Sequence, residues 1–409
     1  MSIKTAKIKY DIPTISEMAR KTKKVNPSAI NGTLGTFFYD DAEFKAYKTV
    51  KRVINNLEDV EYFNYAPTTG GAEFEKNSIS WVFKNRVEKI KSITNVRSVA
   101  TAGGTGSLLL SMLECLNPGE EILIADLCWE PYLTMCSVNN FVPARYSMFD
   151  ENLKFNIKEF KNKCNKMLNS QDMITVLIND PCNNPTGYSL TMEEFKEITN
   201  YFDSLNQPVN IIYDIAYADY CGDQQEVLDK LEILANLNPN VRTFICFSAS
   251  KTFCVYGVRL GAQLIMCKDK DVVEQLYKRS AILCRTHWSN TSNAGINMFN
   301  KLITSEELMS EFLVELNSCK NILLDRIHLF LREARECSLP VYDCNGGFFI
   351  SIPTTNPPFV YEKLREQDIF LIPLETSIRI AICSIPISEV KGLAKKVKDV
   401  VEQIPNENK

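Results

Sequence analysis

From about residue 98 onward, short β-branched or aliphatic runs alternate with longer amphipathic stretches. That rhythm belongs to a mostly parallel sheet with helices on both faces. The runs that predict strands lie at 98–101, 121–125, 174–179, 209–213, 243–247 and 260–267, and apolar positions at helical spacing fall near 106–115, 192–205, 271–284 and in one long stretch from 294 to 337. The fold class predicted is therefore a three-layer α/β domain.

Beyond 337 the texture changes. Strand-like pieces at 341–343, 346–352 and 371–382 are separated by Pro-rich turns such as 353–358, which predicts a second, smaller α+β unit. The N-terminal segment, 1–47, is expected to pack with it, leaving 48–300 as the large domain and 301–409 as the small one. Length agrees, because 409 residues at roughly 150 per domain suggest two or three units, and a large α/β unit absorbs length.

Composition narrows the partners. A net charge of −4, with basic and acidic residues interspersed, leaves no footprint for nucleic acid or an anionic membrane. Fourteen cysteines are scattered without a CxxC pair and without clustering near the only two histidines, His287 and His328. They read as reduced packing thiols, not as a disulfide frame or a metal site. The first residues lack an apolar signal region and no apolar run approaches the ~18 residues that cross a bilayer, so the expected location is the cytoplasm.

The densest chemistry lies in Ser248-Ala-Ser-Lys-Thr-Phe-Cys-Val-Tyr-Gly-Val-Arg-Leu-Gly261, directly after an apolar strand. A partly buried lysine at a strand end can form a Schiff base, while neighbouring hydroxyls and the fork of Arg259 suit a phosphate. Lysine, hydroxyls and arginine together point to pyridoxal phosphate. A bare SxSK would read as a surface loop; Arg259, Gly257 and Gly261 alter that.

Ligands of open α/β sheets bind outside the carboxyl ends of the strands, and four further strands end in unusual residues. Gly103-Gly104-Thr105-Gly106 opens a helix and can present N–H groups and a hydroxyl to a phosphate. Asn184 sits in Asp180-Pro-Cys-Asn-Asn-Pro-Thr-Gly187, a turn whose amide suits a ring hydroxyl. Asp214 ends a strand with Tyr217 three residues on; it is placed either to cap a helix or to pair with a pyridinium nitrogen. Trp129 is either a ring-stacking residue or part of the core. Arg379, inside the apolar alternation 377–382, requires an anion, which is either Glu375 or a substrate carboxylate.

In order and spacing these residues resemble the fold-type I pyridoxal-phosphate enzymes, and among them the class I aminotransferases of the aspartate aminotransferase type, over nearly the whole chain. The resemblance implies that Lys251 bonds the cofactor and shuttles the proton at the substrate Cα. It further implies that Gly104, Thr105, Ser248 and Arg259 hold the phosphate, Asp214 the ring nitrogen, Asn184 and Tyr217 the ring hydroxyl, and Trp129 a ring face at the substrate side. Arg379 and Asn184 match the grip on the substrate α-carboxylate, and Gly35 a glycine in the segment that closes over substrate. Tyr65 resembles a residue that reaches the phosphate of a neighbouring subunit, which implies a homodimer with shared sites.

Arg285, in Cys284-Arg-Thr-His-Trp-Ser-Asn290, resembles an arginine lent across the dimer to a distal carboxylate; alternatively it complements the end of its own helix. The expected activity is thus ping-pong transamination between aspartate or glutamate and a 2-oxo acid. Aromatic or broad-specificity transamination and a carbon–sulfur β-lyase are the enzymatic alternatives. A non-enzymatic regulator would need a DNA-binding domain that the residues ahead of the cofactor domain are too few to supply. Tyr132 and Asn179 stand where the family usually has histidines supporting the ring-nitrogen aspartate.

Overall fold

The computed structural model describes residues 12–405. In chain order the strands are β1 (Ile30–Asn31), β2 (Asn95–Ala102), β3 (Glu121–Ala125), β4 (Val142–Tyr146), β5 (Ile174–Asn179), β6 (Val209–Asp214), β7 (Val241–Ser248), β8 (Leu260–Cys267), β9 (Ile350–Pro353), β10 (Ile369–Phe370), β11 (Ile372–Pro373) and β12 (Ser377–Ile380). Seven of them form the large sheet in the order β2-β8-β7-β6-β5-β3-β4. Its neighbours run parallel except at β8, which is antiparallel to both β2 and β7.

Helices cover both faces, as the alternation of side chains along each strand requires. On one face Ile211, Tyr213 and Ile245 join a core with Phe160, Phe195 and Phe299 from overlying helices. On the other, Ile212 and Phe244 pack with Leu108, Met112 and Cys136. The chain is therefore a three-layer α/β protein.

A separate core contains Ile350, Ile352, Ile378 and Ile380 from the small antiparallel sheet β11-β12-β9, together with Ile15 and Ala19 of the first helix, Ile12–Val25. A two-residue parallel ladder joins β1 to β10. The helix Glu306–Glu336 links the two cores, contributing Phe312 and Leu316 to the large one and Ile327 and Phe330 to the small one.

The piece expected as a strand at 341–343 forms none, and three further features differ from the sequence expectation. β4 was not anticipated, because Val-Pro-Ala-Arg-Tyr is a half-exposed edge strand lacking the buried apolar run of its neighbours. The long helix expected over 294–337 is two helices, Asn293–Thr304 and Glu306–Glu336, divided where the Ser305 side chain accepts from the Leu308 N–H and caps the second. The Pro-rich stretch 353–358 starts the helix Pro357–Arg365, whose prolines occupy positions that need no N–H donor.

Candidate active site

The carboxyl ends of β2, β3, β5, β6 and β7 face one cavity of about 340 Å³, within the roughly 300–1,000 Å³ usual for small-molecule sites. β8 runs the opposite way, so its amino end lies at the same edge: Leu260 pairs with Ala102 and Gly261 with Ser248. That reversal brings Arg259 beside the Gly103-Gly104 turn. Gly103 has φ +72°, and a Cβ on it would lie 2.4 Å from an Arg259 guanidinium nitrogen. A Cβ on Gly104 would lie 2.9 Å from Ser248 Cβ. Helix N–H groups, Thr105, Ser248 and Arg259 thus line one wall, with Arg259 Nη1 donating to Ser250 Oγ at 3.2 Å and to the Tyr256 carbonyl at 2.9 Å. This wall suits a dianion.

Asp214, the last residue of β6, is buried. Its Oδ2 accepts from the Tyr132 hydroxyl at 2.6 Å and its Oδ1 from the Ala216 N–H at 2.9 Å. Burial pushes its carboxyl above the ordinary value, while those two donors oppose the rise. Asn179 ties the neighbouring strand ends together: its Nδ2 donates to the Asp214 carbonyl at 3.0 Å and its Oδ1 accepts from the Asn184 N–H at 2.8 Å. Burial pushes the pKa of the Tyr217 hydroxyl upward, and Asn184 opposes the rise.

Lys251 lies on the single turn Ala249–Thr252 after β7, with Nζ 5.6 Å from the centre of the Tyr217 ring. Burial lowers its pKa; Asp214 opposes the shift and Arg259 adds to it. Trp129 lines the same cavity and meets Tyr132 edge-on, ring centres 5.4 Å apart.

Arg379, on β12, enters from the small sheet and is only 6% exposed. Its Nη2 donates to the Thr33 carbonyl at 2.8 Å and its Nη1 reaches Asn184 Oδ1 at 3.4 Å. Its Nε has no partner among the described residues. Burial holds its pKa down to about 10. Glu375, one of its two anticipated partners, instead pairs with Arg145 at 2.8 Å. Glu375 sits in the exposed turn before β12, while Arg379 points into the cavity. Gly35 lies under the Phe349 ring, where a Cβ would come within 2.7 Å of Cζ.

Two of the sequence-derived residues are elsewhere. Tyr65 is 85% exposed, and Arg285 is exposed with Nη1 donating to Ser289 Oγ at 2.7 Å. They share a surface, because Ser289 donates to Asn290 Oδ1 and Asn290 donates to the carbonyl of Ala66, the residue after Tyr65. Sequence reasoning missed Thr33, which acts through a backbone oxygen, and Phe349, an aromatic among apolar residues; neither has a distinguishing signal.

The cavity fits the pyridoxal phosphate implied by the sequence. It has a cationic, N–H-rich wall for a phosphate, a buried carboxylate with free lone pairs for a ring N–H, and a half-buried amine. The unpartnered Nε of Arg379 also calls for an anionic acceptor.

A family model described as aminotransferase class I and II matches residues 33–397. The chain is 23% identical over 391 residues to an aspartate aminotransferase of Pseudomonas aeruginosa, spanning 92% of this chain and 93% of that one. It is 25% identical over 312 residues to an aromatic-amino-acid aminotransferase of Paracoccus denitrificans, spanning 75% and 76%. The solved structure of an aminotransferase from Anaerococcus prevotii matches with a TM-score of 0.93 at 27% identity, covering 98% of this chain and all of that one (100%). The fold is also shared, with a TM-score of 0.81 at 20% identity over 98% of this chain and 100% of the other, by an aromatic-amino-acid aminotransferase from Burkholderia pseudomallei described as covalently bound to pyridoxal phosphate. The chain belongs to the class I and II aminotransferases, enzymes that depend on pyridoxal phosphate and act on amino acids and 2-oxo acids.

Proposed function

We propose that this aminotransferase moves the amino group of aspartate or glutamate to a 2-oxo acid by a ping-pong mechanism. One observation carries the reading: a half-buried amine, Lys251, shares a cavity with a buried guanidinium, Arg379, whose described partners are neutral oxygens. A cation so placed is completed by a substrate carboxylate. No helix among the described residues is long and apolar enough to cross a membrane, and the proposed location is the cytoplasm. The division into 1–47, 48–300 and 301–409 is proposed as well, with 1–11 and 406–409 lying outside the described residues.

In this reading Gly104, Thr105, Ser248 and Arg259 hold the cofactor phosphate, Asp214 its ring nitrogen, Asn184 and Tyr217 its ring hydroxyl, and Trp129 one ring face. The cofactor supplies an electron sink for the pair left at the substrate Cα. Lys251 Nζ, with its pKa lowered by burial, is the base that takes the Cα proton and returns it as an acid. Arg379 and Asn184 fix the α-carboxylate so that the Cα–H bond faces that amine.

Tyr65 and Arg285 are assigned to the site of a second copy in a homodimer. Their shared exposed surface supports this, since neither reaches the cavity of its own chain. A fork left unpaired by a neutral substrate costs about 2–5 kcal/mol, so aspartate or glutamate should exceed alanine by roughly 30- to 5,000-fold in kcat/KM. Apolar walls from Ile12, Leu34, Leu108 and Phe349 favour aromatic donors as the second reading. The test is kcat/KM for glutamate, aspartate, phenylalanine and alanine in the parent and in Arg285→Leu. Loss of the dicarboxylate preference is expected; a preference that survives returns Arg285 to a helix-end charge.

A further inference from the structure

Lys251 is carried by one helical turn, Ala249–Thr252, too short to be stable through its own hydrogen bonds. Two side chains of another turn, Ala218–Tyr220, grip it. Thr252 Oγ1, on the residue after Lys251, donates to Asp219 Oδ2 at 2.8 Å. The Tyr220 hydroxyl donates to the carbonyl oxygen of Lys251 itself at 3.1 Å. A phenol has one proton, so in the 2.8 Å contact between the Tyr47 and Tyr220 hydroxyls Tyr47 is the donor. Thr252, Tyr220 and Tyr47 are all buried.

Asp219 is anchored from behind. Trp81 Nε1 donates to its Oδ2 at 3.3 Å, Lys84 Nζ lies 3.4 Å from its Oδ1, and that ammonium sits 3.0 Å from the centre of the Trp81 ring. Its charge is compensated where it stands, and the charged groups that shift Lys251 are Asp214 and Arg259. Asp219 therefore acts by position. The seven residues 214–220 supply Asp214 and Tyr217 to the cavity and also hold the lysine opposite them, so the spacing among these groups is set within one short segment.

We propose that Asp219 and Tyr220 are positioning residues that fix Lys251 Nζ relative to Asp214 and Tyr217, a role that rests on Lys251 being the residue that bonds the cofactor. The amine and the cofactor aldehyde join with loss of one water, and the rate depends on how well Nζ is aimed. Pyridoxine 5′-phosphate, with an alcohol in place of the aldehyde, reports the phosphate and ring contacts without that bond.

The experiment uses the full chain as Asp219→Ala, Asp219→Asn and Tyr220→Phe. Thr252→Val removes the Asp219 bond from the other end and serves if the alanine variant does not fold. Capture of added pyridoxal phosphate is followed by absorbance and fixed with borohydride for mass spectrometry, beside the Kd of pyridoxine 5′-phosphate and the separate kcat and KM. Capture and kcat should fall about 10- to 100-fold in Asp219→Ala, with the Kd of the analogue and KM unchanged. Asp219→Asn, which keeps an oxygen acceptor, should recover most of the loss, and Tyr220→Phe should show a smaller fall of the same kind. Parent-like capture in the alanine variant, equal losses of capture and analogue affinity, or an asparagine variant as slow as the alanine one would each overturn the proposal. A borohydride label absent from Lys251 in the parent would overturn the underlying assignment instead.

Discussion

Replacing Arg379 with leucine separates the cost of burying a cation from the work it does on substrate. Burial takes this guanidinium from its ordinary value down to about 10, which corresponds to roughly 3 kcal/mol of charge burial. Because the folded-state pKa is lowered and the group is cationic, that cost is present throughout the neutral range and is relieved only above about 10. Against it stand the bonds to Thr33 and Asn184, worth about 1–3 kcal/mol together. The terms nearly cancel, so the variant should melt close to the parent. Substrate tells a different story: a lost fork to a carboxylate costs about 2–5 kcal/mol, so kcat/KM for every α-amino acid should fall roughly 30- to 5,000-fold. Amines lacking the carboxylate should react as they do with the parent, and a dicarboxylic acid should no longer raise the melting temperature. A variant that melts far below the parent while still preferring amino acids to the matching amines would refute both halves of the reasoning.

Lys251→Ala should fold and bind pyridoxine 5′-phosphate, yet lose activity by a thousandfold or more, of the order expected when an acid–base group is lost together with the cofactor bond; steady-state turnover checks it. In Tyr132→Phe the Asp214 carboxyl, already raised by burial, loses a donor that lowers it. The acid limb of kcat/KM should therefore move upward, read from the pH profile. Lys230 is buried against Asp180 at 3.2 Å, so Lys230→Met should cost about 3–5 kcal/mol, visible as a lower urea midpoint. Asp180 keeps its bonds from Tyr213 and Leu190, which places the effect near the lower end.

How much of this was legible in the sequence depended on whether a residue announces its role by its own chemistry. The runs at 121–125, 174–179 and 260–267 coincide with β3, β5 and β8 because those strands are covered on both faces and read as mostly apolar runs. The edge strand β4, exposed at Val142 and carrying Pro143 and Arg145, offers no such run. Within the cavity, Lys251, Asp214 and Asn184 stand out as polar residues at or just beyond the ends of apolar strands that the parallel order gathers, while the reversed β8 brings in Arg259. The supporting groups give no such sign. Thr33 enters through a carbonyl that any residue has, and Tyr220 looks like one more core aromatic until its hydroxyl is seen on the Lys251 carbonyl. Glu375 shows the opposite failure: its spacing from Arg379 suggests an ion pair, but the turn before β12 carries it out to Arg145. Local spacing can specify which side of a strand a residue occupies. It cannot specify what another part of the chain brings to meet it, and the partner of Arg379 is the point where that difference decides the function.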